Sequence, residues 1–130
     1  MSFAKLIVDC SKIKHNINHI KSKLPNDTRV LLVAKADAYG LGAIDICNNL
    51  ISTIDYIGVA TFNECLTLRE NNIETPILLL SEPIMDDLPL IAANKISVTV
   101  YEKETMNYIS EYTKKNKVNP TKPIEPTGAR

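Results

Sequence analysis

Lys35 closes the apolar run Val30–Ala34, and Tyr39, Gly40 and Gly42 follow within seven positions. A charged side chain at the end of a buried strand is costly unless it has a task or a partner. A lysine in partly apolar surroundings has its pKa lowered, so more of it is the neutral amine that attacks a carbonyl to form a Schiff base. Tyr39, in the same loop, can offer its hydroxyl to an anionic group. Gly40 and Gly42 let the backbone come close, and a helix starting after them would aim its N-terminus at the site, favouring phosphate. A phosphorylated aldehyde satisfies each of these parts, and pyridoxal phosphate is such a molecule. The plainer alternative is that Lys35 snorkels out of a strand end and Tyr39 packs on the rim.

Strands and helices must alternate to place Lys35 there. Ala4–Asp9 reads as a short strand, after which Ser11 can cap a helix with Ile13, Ile17, Ile20 and Leu24 on one stripe. Arg29–Lys35 reads as a strand covered on both faces. Ile44, Cys47, Ile51 and Ile54 mark a second helix, and Tyr56–Ala60 the next strand. Thr61-Phe62-Asn63-Glu64 is a capping box that starts another helix, carrying Cys65, Leu66 and Leu68. Pro76–Leu80 and Ile96–Val100 are further strands. Between them lies a short helix capped by Asp86 or Asp87, and Met106, Ile109 and Thr113 lie on a last helix to about Asn116. This α/β alternation implies a parallel sheet. The glycine fingerprint of a doubly wound dinucleotide site is incomplete, because Asp45 stands where the third glycine belongs. Four or five βα units instead suggest the N-terminal part, about half, of a (β/α)8 TIM-type barrel. Function in such folds sits at the carboxyl ends of the strands, where Lys35 is.

Charge and composition narrow the partners. The chain has 130 residues, and its 15 Lys+Arg balance its 15 Asp+Glu. Lys114, Lys115 and Lys117 suit the solvated end of a helix, so no nucleic-acid partner is expected. The N-terminus lacks the pattern of a signal peptide and no apolar run spans a bilayer, so no membrane is expected either. Cys10, Cys47 and Cys65 read as reduced thiols of a cytoplasmic protein. His15 and His19, four apart on the first helix, have no third ligand in view and read as a surface pair rather than a metal site. Capping accounts for Asp86-Asp87 better than acid–base chemistry does.

The string Val33-Ala-Lys-Ala-Asp-Ala-Tyr-Gly-Leu-Gly-Ala43 resembles the cofactor motif of the alanine racemase family. "IVDCSKIKHNI", "IGVATFNECLTLRE" and "PILLLSEP" resemble that family's opening strand and helix, third unit and next strand, so the likeness runs over about residues 4–118. The resemblance implies that Lys35 holds pyridoxal phosphate as a Schiff base and is one of two racemisation bases. It implies that Tyr39 contacts the phosphate and that Val33 and Leu80 line the cofactor. It also implies alanine as substrate, with D-alanine supplied for cell-wall synthesis. Leu41 departs from the family, which usually has histidine there.

The larger departure is the family's remaining barrel, its second, mostly β domain, its pyridine-facing arginine and its opposing tyrosine base, which these 130 residues do not include. The expectation is a truncated polypeptide: a partial barrel domain over 1–119 and a disordered tail over 120–130, where Pro120, Pro123 and Pro126 recur. No cofactor role is carried over to Arg130. Three functions stay open: a racemase-type polypeptide with the lysine half of the site, a non-catalytic pyridoxal-phosphate binding module, and an inactive remnant. Unpaired strand edges point to self-association.

Overall fold

The computed structural model describes residues 4–118. The proline-rich stretch 120–130 lies outside them, so the expectation of a disordered tail is not addressed. Helix α1 (Cys10–Lys21) comes first, then strand β1 (Leu31–Val33), a short helical segment α2 (Lys35–Gly40) and helix α3 (Ala43–Leu50). Strand β2 (Tyr56–Val59) leads into α4 (Phe62–Glu70), and β3 (Ile77–Leu79) into a 3-10 turn at Met85–Asp87 and α5 (Leu88–Ala93). Strand β4 (Ile96–Val98) precedes α6 (Lys103–Asn116).

The four strands form one parallel sheet in the order β1-β2-β3-β4. A doubly wound sheet reverses its strand order at the switch point. This one never reverses. Sequential order is the order of a barrel, and the four described strands make up part of one.

One face of the sheet carries the core. Ile57, Val59, Ile77, Leu79 and Ile96 are buried against Ile46, Cys47 and Leu50 of α3, Cys65 and Leu68 of α4, and Leu88 and Ile91 of α5. Side chains alternate across a strand, so the residues between them form the other face. The register sets Val33, Gly58 and Leu78 side by side there, and Val33 keeps 38% of its surface exposed. Cover on both faces of β1, expected from its unbroken apolar run, is therefore not what the structure shows. An apolar run records strand propensity, and the second layer depends on what packs there.

Two other readings are corrected. Residues 4–9 form no strand, and Leu6 and Ile7 keep 66% and 76% of their surface exposed. A strand is defined by its partner, and β1 pairs only with β2 among the described residues. The cap of α1 is Asp9 rather than Ser11, its carboxylate accepting the amides of Ser11 and Lys12. On α1, Ile17 is buried and Ile13 half-buried, whereas Ile20 is exposed, and Leu24 lies beyond the end of the helix.

At the amino ends of the strands Arg69 replaces missing backbone partners. Its Nε donates to the Asn94 carbonyl at 3.0 Å, and Nη1 donates to the carbonyls of Ile73 and Thr75 at 2.5 and 2.9 Å. One guanidinium thus ties the α4–β3 loop to the α5–β4 loop.

Candidate active site

The ladder of β1 continues one residue past the strand, because the Ala34 amide donates to the Gly58 carbonyl at 2.8 Å. Lys35 is the first residue beyond it, at the carboxyl end of the sheet, where the sequence motif puts it. It is half-buried, and its Nζ has no hydrogen-bond or ion-pair partner among the described residues. A half-buried amine without a partner is available for a carbonyl carbon.

The chain then does something its composition does not advertise. Ala36, Asp37, Ala38 and Tyr39 all have φ between 52° and 57°, making a left-handed turn without a glycine. Each such residue costs roughly 1–2 kcal/mol relative to the right-handed form, so the turn persists only where its surroundings over-determine it. Several bonds do that. Within the turn the Ala38 amide reaches the Ala34 carbonyl at 3.0 Å, and the Gly42 amide reaches the Asp37 carbonyl at 3.0 Å. The Asp37 carboxylate accepts the Ala43 amide at 2.7 Å, and the Glu64 carboxylate accepts the Ala36 amide at 2.6 Å.

At the start of α3 the Ala43 amide is engaged by the Asp37 carboxylate. Gly40 and Gly42, at φ 81° and 92°, carry the chain from the left-handed turn into α3. Their role is conformational.

The turn exposes Tyr39, at 64% of its surface, beside the loop that bears Lys35. Val33 and Leu80 belong to the sheet face that the helices leave bare. Leu80 and Leu31 close over Gly58: a Cβ on that glycine would come 2.8 Å from Leu31 Cδ2 and 3.4 Å from Leu80 Cδ1. The carboxyl ends of three strands thus present a half-buried amine, an apolar floor and an exposed phenol. A planar phosphorylated aldehyde needs groups of those types.

Glu64 belongs to the same end of the sheet. Its Oε2 accepts the amides of Ala60 and Thr61, both at 2.9 Å, while Thr61 Oγ1 accepts the Glu64 amide, completing the expected capping box. Burial alone would raise its carboxyl pKa. The amides of Thr61, Ala36 and Ala60, with the Thr61 hydroxyl, outweigh that and hold it below the ordinary value. Sequence reading found the box and missed the bond to Ala36, which crosses 28 residues and leaves no local signal.

Other candidates stand apart. His15 and His19 are exposed on α1, and among the described residues no group of three metal-binding side chains occurs. A groove of about 380 Å³ lies between the N-terminal extended segment and α3, lined by Leu6, Val8, Cys10, Leu41 and Ile46 among others. Neither Lys35 nor Tyr39 lines it. Among the described residues no helix is long and apolar enough to cross a membrane.

Comparison with known proteins bears on the fold and the family. An alanine racemase from Treponema denticola is 33% identical over 116 residues, covering 88% of this chain and 31% of its own length. One from Pasteurella multocida is 42% identical over 95 residues, covering 72% and 26%. The solved alanine racemase of Clostridium difficile 630 superposes with a TM-score of 0.76 at 37% identity, over 82% of this chain and 29% of that one. A histidine racemase from Leuconostoc mesenteroides, at 24% identity and a TM-score of 0.73, shares the fold. The chain therefore spans about a third or less of the proteins it matches. Residues 8–123 match the family described as alanine racemase, N-terminal domain, and the chain belongs to that family.

Proposed function

We propose that this chain supplies the lysine-bearing part of a pyridoxal-phosphate-dependent alanine racemase. The observation that carries the reading is Lys35: a half-buried amine without a partner among the described residues, at the carboxyl end of β1, inside the matched family segment. Bound pyridoxal phosphate supplies an electron sink that makes the α-proton of an amino acid removable. Lys35 Nζ would hold the cofactor's aldehyde carbon and, once released by the substrate amine, carry a proton on one face of the α-carbon. Tyr39 would donate its hydroxyl to the phosphate. Val33 and Leu80 would seat the ring and exclude water from one side.

Racemisation by two bases also needs a proton carrier on the opposite face, and we assign none to these residues. A positioned general base contributes about 10²–10⁴-fold, so the 130 residues by themselves should show no enzymatic turnover of alanine. Three free cysteines suit a cytoplasmic protein supplying D-alanine for the cell wall. The bare sheet face, together with β1 and β4 each pairing on one side among the described residues, favours self-association.

The test is direct. The purified chain, incubated with pyridoxal phosphate and reduced with borohydride, should carry its label on Lys35 by peptide mapping, and Lys35→Ala should lose the visible cofactor band. Label scattered over surface lysines would overturn the assignment. Label on Lys35 with robust racemisation would show that the second proton carrier lies within these residues.

A further inference from the structure

A capping box requires one carboxylate oxygen to return to the N-cap amide. In Glu64 that oxygen is Oε2, which takes the amides of Ala60 and Thr61. Oε1 has no part in the box and instead accepts the Ala36 amide at 2.6 Å. Ala36 directly follows Lys35 and is the first left-handed residue of the turn. On the other side of Lys35, the Ala34 amide is held by the Gly58 carbonyl at 2.8 Å. Lys35 is therefore the residue between two backbone anchors, one on β2 and one on the first turn of α4. The second anchor is charge-assisted, and it engages the turn that the backbone conformation alone disfavours.

We propose that Glu64 is a positioning residue for Lys35, its Oε1 fixing the Lys35–Ala36 peptide so that the lysine side chain leaves the sheet end in one direction. The inference rests on the reading of Lys35 as the cofactor lysine. Glu64 touches no reacting atom. It acts through the root of the side chain that does.

Helix capping and positioning separate cleanly in two variants. Thr61→Ala removes the hydroxyl half of the box and leaves the Ala36 anchor in place. Glu64→Gln keeps the shape, removes the charge and gives one of the three amides an N–H to face. The two variants and the wild-type chain are compared by thermal melting, by hydrogen exchange at the Ala36 amide, by titration with pyridoxal phosphate and by the share of borohydride label on Lys35. Thr61→Ala should melt lower, yet keep cofactor affinity and the Lys35 share within about twofold of wild type, since its anchor persists. Glu64→Gln should exchange Ala36 faster, disperse the label and weaken affinity roughly tenfold, short of the about 10²-fold that a 1 Å misplacement can cost. If Glu64→Gln does not melt cooperatively, Glu64→Asp replaces it, keeping the charge but falling one methylene short of Ala36. Wild type labelled on Lys35, with the Glu64 variant indistinguishable from it or the two variants losing affinity in step with their melting temperatures, overturns the positioning role alone. Wild type not labelled on Lys35 overturns the functional reading and this inference with it.

Discussion

Arg69 Nε binds the carbonyl of Asn94 at 3.0 Å, joining the end of α4 to a loop 25 residues further along the chain. The same side chain serves Ile73 and Thr75, so three backbone acceptors depend on one planar donor. A lysine cannot reproduce that fork. Arg69→Lys should lower stability by about 2 kcal/mol, because a half-buried carbonyl left without its charged donor bears its own desolvation cost. Urea unfolding measures this, and a midpoint within error of wild type would show that water replaces the guanidinium.

The Glu64 carboxyl has a folded pKa below its ordinary 4.5. A depressed carboxylate pKa means that the unfolded chain binds the proton more readily than the folded one. Glu64 therefore contributes its full stabilisation above about pH 4.5 and loses it as pH falls through the folded value. The gap in melting temperature between wild type and Glu64→Gln should be constant from pH 7 to 5.5 and shrink below pH 4.5. A gap unchanged down to pH 3 would show that the three amides are not held by the charge.

Ala36 is exposed and sits at φ 52°. Glycine at that position relieves roughly 1–2 kcal/mol of left-handed strain and adds about 0.5–1 kcal/mol of unfolded-state entropy. Ala36→Gly should therefore be neutral to stabilising, by up to about 1.5 kcal/mol, whereas Ala36→Val should destabilise by more than about 1 kcal/mol. Calorimetry of both variants distinguishes a left-handed turn from a right-handed one, in which the glycine variant would be the less stable.

Cys47 and Cys65 are fully buried, and burial pushes both thiols up to about 11. At pH 8 that leaves about a thousandth of each as thiolate, the reactive form. Native protein treated with a thiol reagent at pH 8 should be modified at Cys10 alone, which is half-buried. The other two should react on unfolding. Rapid modification of Cys47 or Cys65 in the folded chain would mean that α3 or α4 opens readily from the sheet.

Elements that depend on neighbours in sequence were readable, and those that depend on distant partners were not. The capping box of Thr61 and Glu64 is contained in four residues and appears in the structure as read. The apolar runs around Leu31–Val33, Ile77–Leu79 and Ile96–Val98 are strands, and ladder bonds carry each one residue further, at the amides of Ala34, Leu80 and Thr99. Residues 4–9 also hold an apolar run, Leu6–Val8, yet form no strand. The site divides in the same way. Lys35 stands where its motif puts it, but no glycine marks Ala36–Tyr39 as left-handed, and nothing near Glu64 in sequence points to Ala36. Asp37 shows the limit most plainly: its tie to Ala43 spans six residues and still depends on the unusual turn between them.

The unreversed strand order has a consequence for how the chain acquires its structure. Leu31 pairs with Tyr56, Ile57 with Ile77 and Ile77 with Ile96, separations of 25, 20 and 19 residues. Loop-closure entropy grows only with the logarithm of length, so these three closures carry nearly equal entropic costs. No strand waits for a later one to slip in beside it. During synthesis, which proceeds at about 5–20 residues per second, each new strand emerges roughly one to a few seconds after the last and finds its partner already exposed. The ribosome can therefore lay this sheet down in the order in which it is read.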